Sequence, residues 1–141
     1  MILFSGVDVV VDRRLGIDEI RECLAQATPV SKERISVIDD VANYPARSAA
    51  DIVCVVTPNP GEFALVLSIQ CEPLELPGER IADLIHQLAT MLEAKILMPD
   101  DGDDPYVMWL VQPDAAPKRV ALDEAALDED RYEIRDLHGN G

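Results

Sequence analysis

The sequence predicts an α+β fold: a two-layer sandwich, ferredoxin-like or a variant of it, with a mixed or antiparallel sheet and two main helices on one face. Three observations predict it. Residues 17–27 and 79–94 carry apolar side chains at helical spacing. Each of these segments follows one β-branched or alternating run and precedes another. Two apolar runs between them, joined by a connection with two prolines, read as a hairpin. Right-handed strand–helix–strand crossovers would then bring both helices to the same side of the sheet.

Taken in order, Ile2 to Val11 is a strand, with Val7, Val9 and Val11 on one side and Asp8, Val10 and Asp12 on the other. Residues 12–16 turn the chain. A helix follows over Ile17 to Ala27, with Ile17, Ile20, Leu24 and Ala27 on its apolar face, and Thr28-Pro29 ends it because proline cannot continue the ladder. Arg34 to Asp39 is a short strand and residues 40–50 a loop. Asp51 to Thr57 and Phe63 to Glu72 pair around Pro58-Asn59-Pro60-Gly61, a connection too stiff for a two-residue turn. Glu79 to Ala94 is the stronger helix, with Ile81, Leu84, Ile85, Leu88, Met91 and Leu92 in one stripe. Lys95 to Met98 and Tyr106 to Gln112 are strands flanking a polar turn. Residues 113–117 turn again, Arg119 to Leu122 is a weaker strand, Glu124 to Leu127 a helical turn, and Tyr132 to Ile134 a last short strand or coil. Residues 1–137 are expected to form one domain, and 138–141 a frayed tail.

Charge is the second strong signal. The chain of 141 residues has 27 Asp plus Glu against 12 Lys plus Arg, a formal charge of -15. Residues 99–141 hold 12 acids and 4 bases, a net of -8 on less than half the length. A hydrophobic content of 48% is too high for a disordered acidic tail, so the acids are displayed on a folded body. Such a field repels nucleic acid and anionic membranes and speeds encounter with a basic protein. Aromatic residues make up 4%, and the bases are scattered, which argues against a stacking groove for nucleic acid. No apolar run reaches the length needed to span a bilayer, and the start Met-Ile-Leu-Phe-Ser has no basic leader. Three cysteines, Cys23, Cys54 and Cys71, without a CxxC pair, fit a reducing compartment. A cytoplasmic protein is expected.

One mismatch points outward. Residues 52–56 and 107–111 are apolar at consecutive positions, so both faces of these strands want burial, whereas the helices cover only one. The uncovered face would be a sizeable apolar patch. Three things could cover it: residues 113–137 folding back, a second copy in a homodimer, or a partner protein.

The chemistry-bearing residues are few. Asp100, Asp101, Asp103 and Asp104 form the densest carboxylate cluster. Counted as an EF-hand loop from Asp100 the bidentate glutamate position falls on Val111, and from Asp101 on Gln112, so no metal is expected there. Tyr106 and Trp109 lie beside the cluster and supply the residue types of an interface hot spot. His86 has Asp83 one turn before it and Thr90 one turn after, the shape of a general base or simply a polar helix face. His138 lies in the tail. No phosphate-binding glycine loop, nucleophile elbow or HExxH motif occurs, and no cofactor is expected. The reading that results is a protein-binding module. Its acidic docking surface is Asp100, Asp101, Asp103, Asp104, Tyr106 and Trp109, and its partner a basic protein. Its most concrete form is an immunity or antitoxin-like inhibitor of a basic toxin, such as a nuclease whose site accepts phosphate. A homodimeric regulatory module and a small-molecule binder using the sheet–helix pocket stand beside it.

Overall fold

The structure, a computed structural model, describes residues 1–46, 49–100 and 102–137. Its elements are β1 (Ile2–Val11), α1 (Ile17–Ala27), β2 (Ile35–Ile38), β3 (Ile52–Pro58), β4 (Leu65–Leu76), α2 (Ile81–Leu92), β5 (Ile96–Pro99), β6 (Val107–Gln112), β7 (Ala115–Leu122), α3 (Glu124–Leu127) and β8 (Ile134–Leu137). The eight strands form one mixed sheet in the order β2-β3-β4-β1-β5-β6-β7-β8. The β2–β3 pair is parallel and the other neighbours are antiparallel. The chain is therefore α+β, with a sheet larger than that of a ferredoxin-like sandwich.

Alternation along the strands decides which residues meet the helices. Val9 and Val11 of β1, Leu65, Leu67 and Ile69 of β4, and Ile52, Cys54 and Val56 of β3 join the helix residues Ile20, Leu24, Leu84, Ile85 and Leu88 in the main core. α1 ends where expected: Thr28 donates both its N–H (3.1 Å) and its hydroxyl (2.7 Å) to the Leu24 carbonyl. α2 is fixed at both ends. The Asp83 carboxylate accepts the N–H groups of Glu79 (2.9 Å) and Arg80 (3.0 Å), which have no partner inside the helix. At the other end Glu93 takes a left-handed conformation, and the Arg13 guanidinium donates to the Leu92 carbonyl. The β1–α1 turn thus clamps the end of the second helix.

The β1–β4 ladder is interrupted between Phe4 and Gly6, where β4 carries extra residues. Gly6 sits there at φ 140, and a Cβ on it would lie 2.5 Å from the Ile69 carbonyl oxygen. Only glycine fits.

Several boundaries differ from the sequence expectation, for physical reasons. The residues read as a turn, 113–117, are a turn only at Pro113-Asp114; β7 already begins at Ala115. The register shift opposite Val111 takes Ala116 and Pro117 out of regular pairing, and a bulge tolerates a proline that a regular ladder does not. β4 runs on to Leu76, past the expected end at Glu72, because Ile2, Leu3 and Phe4 pair with Leu76, Glu75 and Leu74. The last strand is Ile134–Leu137 and adds to β7. The tail 138–141, with His138, lies outside the described residues.

The sheet face opposite the two long helices is not an open apolar patch. Over the end of β1 and over β5, β6 and β7 it carries a second core of Val10, Leu97, Leu110, Val120 and Leu122, closed by Phe63 from the β3–β4 loop. Leu127, Tyr132 and Ile134 pack against the same cluster, so the segment 113–137 does fold back here. Over β1, β3 and β4 the face is interrupted by polar residues. The Ser68 hydroxyl donates to Asp8 (2.7 Å), and Tyr44 reaches in from the β2–β3 loop to donate to Gln70 (2.9 Å). The chain itself thus covers part of this face. Among the described residues no helix is long and apolar enough to cross a membrane.

Candidate functional site

The acidic loop joins β5 to β6, and the strand register divides its carboxylates into two sets. Trp109 of β6 pairs with Arg119 of β7. The Arg119 guanidinium lies 5.7 Å from the centroid of the Trp109 ring and donates to the Asp100 carboxylate at 2.6 Å. The Gly102 N–H also donates to Asp100, at 3.3 Å. The Asp100 side chain is only 7% exposed. Asp100, Arg119 and Trp109 are thus a stacked, internally neutralised trio that closes the loop. Trp109 is half-buried and rests on the main core. These two of the expected docking residues, Asp100 and Trp109, hold the loop in shape.

Asp103 and Asp104 behave differently. Both are exposed, and no cation among the described residues pairs with either. Asp104 shapes the turn by accepting the Tyr106 N–H (2.9 Å) through its side chain and the Val107 N–H (3.2 Å) through its carbonyl. Tyr106 is half-buried, and its carbonyl accepts the Leu122 N–H (2.7 Å), which ties the loop to the end of β7. Asp101 lies outside the described residues.

That tie brings α3 alongside the loop. Between them is a depression of about 320 Å³ whose apolar wall is Met108, Leu122, Leu127 and Tyr132, with Asp103 and Asp104 on its lip. Leu122 is buried; Met108, Leu127 and Tyr132 are half-buried. Asp123 caps α3 by accepting the Ala126 N–H (2.9 Å), which sets Leu127 against the sheet. Glu124, Asp128, Glu129 and Asp130 on and after α3 are exposed. Arg131, the base nearest them in sequence, is tied to Glu129 and Glu133. The apolar wall was not anticipated. The signal for it was present as two large apolar residues, Leu127 and Tyr132, inside an acidic run.

The other chemical candidates are used structurally. His86 is part-buried with Nε2 3.1 Å from the Pro113 carbonyl oxygen, so it docks the β6–β7 turn onto α2. Asp83 does not orient it as in a catalytic pair, because its carboxylate is engaged at the helix start. Burial pushes the Cys54 thiol up to about 12; burial and then the Glu72 charge push Cys71 up to about 11. Burial, with Glu19 and Glu22 behind it, also raises Cys23. None is a thiolate near neutral pH. Among the described residues no group of His, Cys, Asp and Glu is arranged to hold a metal ion.

A larger depression, about 770 Å³, lies against α1 and β2. Its charges neutralise one another, Asp18 with Arg21 (2.9 Å) and Glu22 with Lys32 (2.8 Å). Thr28 is the one polar residue among the described residues that is buried as a whole, and it serves the end of α1. The interior between helices and sheet is lined by the apolar side chains of the main core. No protein family, curated protein or solved structure matches this chain.

Proposed function

We propose that this chain is a protein-binding module that docks a basic partner through the surface formed by the β5–β6 loop and α3. The observation that carries the reading is the division of the aspartates. Asp100 is neutralised inside the molecule, whereas Asp103 and Asp104 stand exposed with no cation paired to them among the described residues, next to an apolar depression. Exposed carboxylates keep their field for an incoming cation. In its most specific form the module is a cytoplasmic inhibitor of a basic enzyme, of the immunity or antitoxin kind. Its carboxylates would then occupy a site that otherwise takes phosphate.

The architecture fits such a rigid platform. β1, α1, β3, β4, α2 and β5 follow one another as strand–helix–strand–strand–helix–strand, and their strands lie in the order β3-β4-β1-β5. We read this as a ferredoxin-like nucleus within one domain. β2 extends it at one edge and β6 to β8 at the other, and the added strands β6 and β7 carry the docking surface.

The test compares two baits in the same host lysate, the wild-type chain and Asp103→Asn/Asp104→Asn, at low and at high salt. A basic protein held by the wild type at low salt, and lost both with the variant and at high salt, is the expected result. A partner retained equally by both baits would remove the docking assignment.

A further inference from the structure

We infer that the depression between the β5–β6 loop and α3 receives one large apolar side chain of a basic polypeptide segment, while Asp103 and Asp104 bind Lys or Arg residues flanking it. This rests on the basic-partner reading above and specifies what the partner presents.

Three features of the depression lead there. The first is its size. An apolar cavity of about 150 Å³ holds a benzene ring, so an opening of about 320 Å³ accommodates a leucine or phenylalanine side chain with room for its backbone to pass over the lip. The second is its lining. Met108, Leu127 and Tyr132 are half-buried, so each presents apolar surface that a partner can still cover. Met108 adds a flexible, polarisable wall that adapts to the shape of an inserted group. An apolar anchor seated in a pocket within a polar ring is the usual anatomy of an interface hot spot.

The third is the sign of the field. Asp103 and Asp104 stand on one lip. Glu124 and Asp128 flank Leu127 in the chain on the α3 side. Two of the bases in this part of the molecule are held internally, Arg119 by Asp100 and Trp109, and Arg131 by Glu129 and Glu133. An apolar group arriving alone would enter a negative field without using it, and an anionic one would be repelled. A second copy of this chain, at -15, brings the wrong charge. An apolar residue between cations satisfies both the wall and the lip.

The test uses designed peptides as probes, each with four lysines around one central residue: leucine, phenylalanine or serine. Binding is read by fluorescence anisotropy at low salt and mapped by amide shifts in ¹H–¹⁵N spectra. The leucine and phenylalanine peptides are expected to bind at least about tenfold more tightly than the serine peptide of equal charge, since burying such a side chain is worth that much or more. Shifts specific to the apolar peptides should centre on Val107, Met108, Leu122, Leu127 and Tyr132. Asp103→Asn/Asp104→Asn should weaken all three peptides by a similar factor.

Equal binding of the three peptides, lost in the aspartate variant, would overturn the apolar anchor and leave the basic-partner reading standing. A preference for leucine that ignores the aspartate variant would overturn the flanking-cation half of the inference and, with it, that reading. Shifts centred elsewhere, or no binding of any peptide at millimolar concentration, would overturn the inference outright.

Discussion

Asp83 shows how one side chain couples local structure to pH. Its carboxylate accepts the backbone N–H of Glu79 and that of Arg80, and these bonds, assisted by the nearby charges of Arg80 and His86, hold its pKa below the ordinary aspartate range. A depressed folded-state value fixes the sign of the linkage. The stabilisation is present above the unfolded-chain value of about 4 and is lost as the pH falls through the lower folded value. Asp83→Ala is therefore expected to lower Tm at neutral pH, with the gap to wild type closing as the solution is acidified. Thermal melts across that range check it, and a gap of constant size would show that the carboxylate's charge is not what matters. The same scale explains what could be read of the site beforehand. The density of Asp100 to Asp104 is plain in the sequence. That Asp100 is withdrawn from the surface depends on Arg119 meeting Trp109 across a ladder, and no local pattern reports which residue of one strand faces which residue of the next.

Among the elements, those with a clean period were legible and those that depend on a neighbour were not. Helical spacing in α1 and α2 and alternation in β1 and β4 are properties of the segment itself, and these elements stand close to where periodicity puts them. β7 starts before its expected position because a bulge accommodates Pro117, and β8 exists because β7 offers it an edge. Phe63 is the sharpest case. It reads as the first residue of a strand, yet it precedes β4 and plugs the second core. The loop holds it there through its own closure, with the Asn59 N–H donating to the Ala64 carbonyl at 2.8 Å and the Asn59 side chain to the Phe63 carbonyl at 3.4 Å. Its side chain is fully buried against Val10 and Leu97. Phe63→Ala should destabilise the fold by about 3 to 5 kcal/mol, the range for emptying a buried phenylalanine site. Urea unfolding measures it. A loss within about 0.5 kcal/mol would mean that the loop does not seal this face.

At the scale of the whole molecule the excess of acid has a consequence that no single pair can offset. With 27 acids and 12 bases, pairing every base with one acid would still leave 15 carboxylates without a cation. Half of the ion pairs among the described residues are solvent-exposed on both partners, Lys32 with Glu22 and Arg34 with Asp51 among them. Exposed pairs of this kind contribute little, and salt weakens them further. Salt also screens the repulsion among the unpaired carboxylates, which acts over many pairs and destabilises the compact state. The two effects have opposite signs, and the charge count decides between them: repulsion is the larger. Raising sodium chloride from about 10 mM to about 150 mM, which shortens the screening length from about 30 Å to about 8 Å, should therefore raise Tm. Chloride is preferable to sulfate because sulfate strengthens apolar burial regardless of charge. A Tm that fell over this interval would mean that the paired acids dominate, and the surface would then have little unspent field with which to attract a basic partner.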